Sequence, residues 1–565
     1  MKRLPYGISN FACIIDEQYY YVDKTPFIEI LEKESNRYHF FIRPRKFGKS
    51  LFISTLLHYY DMNNVADFQK MFGNLYIGKN PTPKRNSYAM LEFNFSGMDT
   101  SDEDSFKLSF SRKTQMAVSF FFEKYRKKFP EAETYIQKIN NENPGFDALN
   151  VVYNAAIVAG VKIFIIIDEY DHFANDLIAI GGDQMYRRMV RANGIIRDFY
   201  ETLKIGTSSV VDRIFITGIS PVMLDDLTSG FNIAVNLTTL LPYNDMMGFT
   251  QDETERLKAD VGVDDKYINV DMKKYYNGYL FHKNAANRIY NPSMILYFFD
   301  QILRSKTVPD HIIDDNLKTD YGRIQRLLKN DANREKLIEI IKENGIISNI
   351  ITKFSIDRLD DNEYFISLLF YMGLLTIDKV IEGNTRLMIP NYSIQTVYWE
   401  YIKLLTNDLN SEVRIDDTQL RLSVSELAYR GNPQPYIYYI SKNIFSRLSN
   451  RDLIGFDEKY IKIMLLDGLF HTNIYVPFSE HETDAGYVDM YLKRSPLFPE
   501  IPYEWIFELK YVKESQRKHL PTVRKDAQEQ LNRYSQTPQM AERNDLKMAV
   551  IIFIGKKKYE IITIQ

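Results

Sequence analysis

The chain has 565 residues, 45% hydrophobic and 26% charged, an ordinary globular composition long enough for about three domains. Its formal charge of -3 excludes global basicity as a ground for nucleic-acid binding, so any such surface must be local. The single cysteine, Cys13, excludes an intrachain disulfide, and there is no CxxC pair or HExxH to suggest zinc.

Met1-Lys2-Arg3 is followed by Leu-Pro-Tyr-Gly rather than an apolar segment, and no uncharged apolar run reaches about 18 residues. No signal peptide or membrane partner is therefore expected, and the expected compartment is the cytoplasm. Tyr19 to Thr25 is a short strand candidate, followed by a helix with Thr25 as its cap and Pro26 at its first position. By its place ahead of the first sheet strand this segment could wall a ligand pocket; a plain edge element fits the residues equally well.

Tyr38 to Ile42 reads as a strand and Leu51 to Tyr60 as a helix, so Arg43-Pro44-Arg45-Lys46-Phe47-Gly48-Lys49-Ser50 occupies a strand-to-helix turn. That is the setting of a phosphate-binding loop, in which backbone N–H groups and the helix N-terminus face an anion. Arg45, Gly48, Lys49 and Ser50 are the candidate ATP contacts, with Lys49 reaching the outer phosphates and the Ser50 hydroxyl ligating Mg²⁺. The generic motif calls for Gly where Arg43 stands, and GKS alone is a weak signal. The strand before it and an acidic strand end downstream strengthen it.

Tyr88 to Phe95 alternates as a second strand, and residues 101 to 148 read as charged helix with an apolar strip at Ser119 to Phe122, closed by Asn143-Pro144-Gly145. Ile163 to Ile167 is an unbroken apolar run, as in a buried parallel strand, and ends in Asp168-Glu169-Tyr170-Asp171. Following a P-loop, Asp168 would complete the Mg²⁺ shell and Glu169 would polarise the attacking water. Without that loop the pair would be ordinary solvated acids. Tyr186 to Leu203 reads as one helix carrying Arg187, Arg188, Arg191 and Arg197; a solvated face is the simpler reading, and arginine fingers in a homo-oligomer are the sharper one. Val211 to Gly218 is a further buried strand whose Thr217 would sense the γ-phosphate if the strand lies between the other two. Residues 241 to 300 have no independent chemical reading. Helices and then two short strands at 373–377 and 385–390 suggest a winged-helix-like lobe.

A second constellation lies near the C-terminus. A helix from Asp457 to Phe470 precedes strand candidates at 473–478, 486–492 and 505–512, a helix over 522–534 and a strand over 547–554. Asp489 sits inside one apolar alternation, and Glu508 and Lys510, two apart, share a face of the next strand. Two carboxylates there could hold Mg²⁺ while the lysine stabilises phosphate charge. Glu480 and Glu482 could complete the metal shell, and Gln530 and Tyr534 share a helix face. Lys513, Arg517, Lys518, His519 and Arg524 form a local basic run next to this group. An exposed amphipathic hairpin with alternating charges is the bland alternative.

RPRKFGKSL, IIIDEYD, YYYVDKTPFI, FITGIS, NGY and YNPS together resemble the bacterial AAA-ATPase-like family that carries a C-terminal PD-(D/E)xK nuclease-like domain, over nearly the whole chain. In that family Arg is usual at the place of Arg43, and the Gln530/Tyr534 pair resembles the QxxxY element of one nuclease branch. The resemblance implies an α/β P-loop ATPase with a parallel sheet over 1–300, a helical, winged-helix-like lobe over 301–410 and a PD-(D/E)xK nuclease-like α/β domain over 411–565. It implies ATP and Mg²⁺ as cofactors and a Mg²⁺-dependent nuclease acting on nucleic acid, DNA ahead of RNA. The rival reading is a nucleotide-dependent switch or remodeller whose nuclease-like domain binds nucleic acid or protein without cutting.

Overall fold

The computed structural model describes residues 2–564 apart from 142–145, 181, 192–193, 228–229, 269, 308, 310–312, 315–321, 329, 355, 360, 399–400, 402–415, 444–457, 471, 484–485, 496, 538–542 and 556–557. The chain divides into two compact units, Met1–Leu337 with Gly345–Ile394, and Ile338–Asn344 with Gln395–Gln565.

The first unit is built on five parallel strands: β1 (Tyr38–Ile42), β2 (Ala89–Asn94), β3 (Ile163–Asp168), β4 (Val211–Gly218) and β5 (Val235–Asn236), in the order β2-β3-β4-β1-β5. All six residues of β3 are buried, as an unalternating apolar strand requires when helices cover both faces of its sheet. Phe52, on the helix Lys49–Tyr60, meets Phe215 of β4 on one face. Phe93 of β2 meets Phe199, from the helix Ile195–Gly206, on the other. Because β4 lies between β1 and β3, the C-terminal ends of the three strands are neighbours.

The helix expected over 186–203 is two helices, Asp183–Val190 and Ile195–Gly206. Gly194 caps the second in an extended conformation, and a Cβ there would fall 2.2 Å from the Met189 carbonyl oxygen. Close packing of two helix ends therefore overrides the periodicity. Pro26 does open a helix, Pro26–Lys33, but Thr25 does not cap it; its hydroxyl donates to Asp23 at 2.5 Å instead. The charged stretch from 101 forms the helices Glu103–Lys124 and Ala132–Asn141, with Phe121 and Phe122 buried and Phe120 exposed. The expected Asn-Pro-Gly closure lies outside the described residues. The small lobe carries the hairpin β7 (Thr376–Ile381) and β8 (Asn384–Met388), with β6 (Ile346–Ile347) added to β8 and the helix Asn362–Tyr371 before it.

The second unit holds a mixed sheet, β13-β12-β11-β10-β9, made of β9 (Tyr475–Thr483), β10 (Gly486–Arg494), β11 (Glu504–Val512), β12 (Leu546–Ile554) and β13 (Lys558–Ile564). Only β11 and β12 are parallel, and the helix Leu520–Ser535 makes their crossover. That helix lays Ala527, Leu531 and Tyr534 against Ile506, Val512, Val550 and Ile552. The helix, three strands, helix, strand order read from the sequence is present; the edge strand β13 was not foreseen.

Arg43 shows how the first unit treats the place where the generic loop has glycine. Its side chain is wholly buried and donates to the carbonyls of Ile42 (3.0 Å), Thr238 (2.9 Å), Tyr243 (2.8 Å) and Asn244 (3.4 Å). Phe41 and Phe281 lie against the guanidinium at 4.3 and 3.9 Å. It pins β1 to the segment after β5. Replacing Arg43 by Ala leaves buried carbonyls without donors and should lower stability by on the order of 3 kcal/mol, read as a drop in the denaturant midpoint; an unchanged midpoint contradicts the role.

Candidate functional site

The loop after β1 is shaped by two residues in the left-handed region, Lys46 (φ 64°) and Gly48 (φ 92°), the latter capping the helix that begins at Lys49. Lys49 is buried, and its ammonium donates back to the carbonyls of Arg43 and Pro44, both at 2.9 Å. Burial pushes that ammonium down to about 8, against the pull of Asp168, Asp171 and Glu169. Among the described residues its direct partners are these carbonyls, neutral acceptors that leave its charge for an anion.

Asp168 ends β3 almost fully buried and accepts hydrogen bonds from Ser50 Oγ (2.9 Å), Thr217 Oγ1 (2.6 Å) and the Glu169 N–H (3.0 Å). The structure thus brings together Lys49 and Ser50, from the helix that follows β1, Asp168 from the end of β3 and Thr217 from β4. A carboxylate with two hydroxyls is an all-oxygen set suited to Mg²⁺, with Ser50 and Asp168 as the side chains that would hold it. Glu169 follows at φ 52°. Contact with His172 is the largest influence holding its carboxyl below the usual range, with burial opposing.

Arg45, Gly48, Lys49, Ser50 and Glu169 line a cavity of about 400 Å³. Tyr20 and Tyr21 wall it from the N-terminal side, and Met246, Met247 and Phe249 come from the stretch that had no chemical reading. Lys24 ties the two walls together. It donates to Glu253 at 2.8 Å and to the Asp245 carbonyl at 2.9 Å, and Glu253 also closes the capping box of the helix Gln251–Val261. Asn291 and Ser293 donate to the carbonyls of Arg45 and Lys46. Asp171, wholly buried, accepts from the N–H groups of Ile219 and Ser220 and so fixes the exit of β4 to the turn after β3. Tyr20 and Tyr21 supply the wall that the Tyr19–Thr25 segment offered; sequence reasoning missed the ties made by Glu253, Asn291, Ser293 and Asp171, because each acts on a partner far along the chain.

The four arginines are engaged within the chain. Arg187 pairs with Asp357, Arg188 with Glu103, Arg191 with Asp226 and Asp357, and Arg197 with Glu201. Most of these pairs are open to solvent on at least one side, and such pairs each contribute little to stability; Asp226, 7% exposed, is the most enclosed partner.

In the second unit Met490 pairs with Phe507, and one step further along this register Asp489 stands opposite Glu508. Asp489 Oδ2 accepts the Leu509 N–H at 2.9 Å. Lys510 Nζ lies 2.7 Å from Glu508, 3.7 Å from Asp489 and 3.5 Å from Glu458. Glu458, first residue of the helix Glu458–Phe470, was missed; its only local signal is an acid in a helix first turn, which macrodipole preference explains as well. Gln530 donates to the Tyr534 hydroxyl at 2.7 Å, and the charges of Glu508 and Asp489 add to burial in raising that phenol. Glu480 and Glu482 lie on β9, Glu482 paired with Tyr487; their side chains are outside the described residues.

Glu508 is fully buried and its Oε2 has no hydrogen-bond partner. Burial first, then the Asp489 charge, push its carboxyl up to about 7 despite Lys510. For Lys510 burial acts downward but is outweighed by Asp489, Glu508 and Glu458, which hold the ammonium well above its ordinary value. Among the described residues no three or more His, Cys, Asp or Glu side chains are gathered to hold an ion alone. Mg²⁺ commonly takes one or two carboxylates and completes its shell with water or phosphate oxygen, and Asp489 with the bare oxygen of Glu508 fits that demand.

The two sites define a P-loop ATPase domain in the first unit and a nuclease-like domain in the second. Residues 5–228 match the model of a predicted AAA-ATPase family, and residues 456–562 that of the PD-(D/E)XK nuclease superfamily. The chain therefore joins an AAA-ATPase-like domain to a C-terminal domain of that nuclease superfamily. An uncharacterised protein from the vnfD 5′ region of Azotobacter chroococcum is 25% identical over 308 residues, 53% of this chain and 52% of its own, so the chain matches about half of that relative's length. A Walker-type ATPase of Pyrococcus abyssi aligns over 66% of this chain and 94% of its own at 13% identity and a TM-score of 0.37. The Aeropyrum pernix ORC2 protein aligns over 70% and 98% at 10% and 0.34. No described helix is long and apolar enough to cross a membrane.

Because the Glu508 carboxyl is raised in the folded state, its contribution to stability is present below the ordinary carboxyl value and is lost as pH rises through about 7. With divalent ions chelated, unfolding of the parent should become easier from pH 5 to pH 8, and Glu508→Gln should flatten that slope in a thermal melt. Parallel parent and variant curves would refute this.

Proposed function

We propose that the chain binds and hydrolyses ATP with Mg²⁺ at the first site, and that the second unit is a Mg²⁺-dependent nuclease acting on DNA, gated or repositioned by the ATPase. In this reading the engine spans 1–300, the lobe 301–410 and the nuclease 411–565. The observation that carries the nuclease reading is the buried Glu508 carboxylate, one oxygen unpartnered, beside Asp489 and Lys510. Mg²⁺ bound there would activate water and neutralise phosphate charge. The chain's own part is to hold the carboxylates on adjacent strands and to place Lys510 where it can meet a developing negative charge. Lys513, Arg517, Lys518 and His519 are exposed on and beside the turn Glu514–His519 that follows β11, and can meet a phosphate backbone.

The position of Lys510 among three carboxylates also supports the second reading, in which it is a permanent counter-charge and the domain binds without cutting.

For the engine, Lys49→Ala should abolish ATP binding, whereas Asp168→Asn and Glu169→Gln should keep binding and slow hydrolysis by at least ~10²-fold. Titration with a fluorescent ATP analogue and a phosphate-release assay read the two effects; a Lys49→Ala protein that turns over ATP like the parent removes the engine reading.

For the nuclease, Asp489→Ala, Glu508→Ala and Lys510→Ala should each abolish cleavage of labelled DNA in Mg²⁺ or Mn²⁺ while ATP hydrolysis persists. Lys510→Ala should disturb metal affinity least. Unchanged cutting by Glu508→Ala, or none by the parent with any metal and nucleotide, transfers the reading to the non-cutting switch.

A further inference from the structure

Glu169, the carboxylate that would polarise water, is held less firmly than its neighbours. Its backbone sits at φ 52°, and its N–H is taken by Asp168. The turn that follows sends the chain straight into the helix His172–Ile180, with the His172 N–H donating to the Glu169 carbonyl at 3.1 Å. This brings the imidazole beside the Glu169 side chain, Nδ1 to Oε2 at 3.2 Å. The other ring nitrogen, Nε2, lies 3.4 Å from Asp176 Oδ2, one helical turn on. The histidine side chain is 17% exposed and the two carboxylates 32% and 29%. Among the described residues no other side chain forms an ion pair with Glu169.

Two features set this apart from a chance surface pair. A histidine in the first turn of a helix meets the positive end of the macrodipole, a poor place for it unless carboxylates flank the ring. Its Nδ1 is also buried without an aligned hydrogen bond: the approach to Glu169 is close but out of line. A small rotation of the Glu169 side chain would complete the bond.

Resting on the ATPase reading above, we propose that His172 is the positioning residue for Glu169, aiming its carboxylate through Nδ1 while Asp176 anchors the ring through Nε2. Glu169 lines the cavity of the P-loop, and His172 stands behind it, outside that lining. The imidazole limits the directions open to the carboxylate that must meet the attacking water, and a misplacement of about 1 Å in such a group can lower a rate about 10²-fold. The carboxylate–imidazole–carboxylate string is short, runs from Glu169 to Asp176 and needs no second subunit.

The test uses the full chain with ATP and Mg²⁺, reading kcat and KM by phosphate release and folding by thermal midpoint. His172→Ala should lower kcat by about 10- to 100-fold and leave KM little changed. His172→Asn, whose amide nitrogen can stand where Nδ1 stands, should recover most of the rate. His172→Gln, which reaches instead toward the place of Nε2, should not. Parental kcat in His172→Ala, or equal recovery by Asn and Gln, overturns the proposal. If the alanine variant does not fold, the Asn and Gln pair decides. Glu169→Gln separates the two levels: rapid hydrolysis there removes the ATPase reading, whereas slow hydrolysis beside a fully active His172→Ala removes only the role of His172.

Discussion

The first unit depends on one buried carboxylate. Asp168 receives hydroxyls from Ser50 and Thr217, which arrive on the elements following β1 and ending β4. A nearly fully buried acid must be satisfied by hydrogen bonds or a cation; the Glu169 N–H is at hand in the chain, but the Thr217 hydroxyl comes only if β4 is the neighbour of β3. The strand order is therefore more than a topological label. It sets the hydroxyl of the P-loop, the acid of β3 and the polar end of β4 at neighbouring strand ends, where open parallel sheets bind ligands. Asp171 repeats the device one turn later, tying the exit of β4 to the start of the helix His172–Ile180.

What was legible in the sequence follows from the range over which each signal acts. β3 follows its expected run and gains only Asp168, because an unbroken apolar run in a covered parallel sheet leaves little choice of place; β1 and β4 match their expected bounds although His39, Asp212 and Arg213 interrupt them. Asp168, Lys49 and Ser50 could be placed because a strand-to-helix turn is a local construction. The wall from the Tyr19–Thr25 segment was legible as one of two readings, but the ties that hold the cavity were not, since Lys24 and Glu253, or Ser293 and Lys46, are more than two hundred residues apart and carry no pattern of their own. The broken helix at Gly194 failed for another reason. Its periodicity suits a helix, and only the close approach to Met189 forbids continuation.

In the second unit the parity of a β-strand did most of the predictive service. Glu508 and Lys510 had to share a face, and the β10/β11 register brings Asp489 to that face. Glu458 joins them from a different element, reaching Lys510 from the start of a helix. A strand pattern has no means of announcing such a residue, so the sequence reading looked to Glu480 and Glu482 on β9 for further carboxylates and had no place for Glu458.

The two lysines hold opposite positions in otherwise comparable sites. Lys49 is surrounded by its own loop carbonyls, neutral dipoles that satisfy its hydrogens without cancelling its charge, and burial accordingly pushes it down. Lys510 stands among three acids, which overcome burial and hold its proton firmly. A site of the first kind gains most from an anion, because phosphate oxygens replace weak acceptors with charged ones. A site of the second kind holds more acid than base, and the excess falls on Glu508, whose carboxyl is raised and whose second oxygen is bare. It gains most from a further cation. The same side chain, placed among carbonyls in one unit and carboxylates in the other, thus sets complementary demands: negative charge at the first site and positive charge at the second.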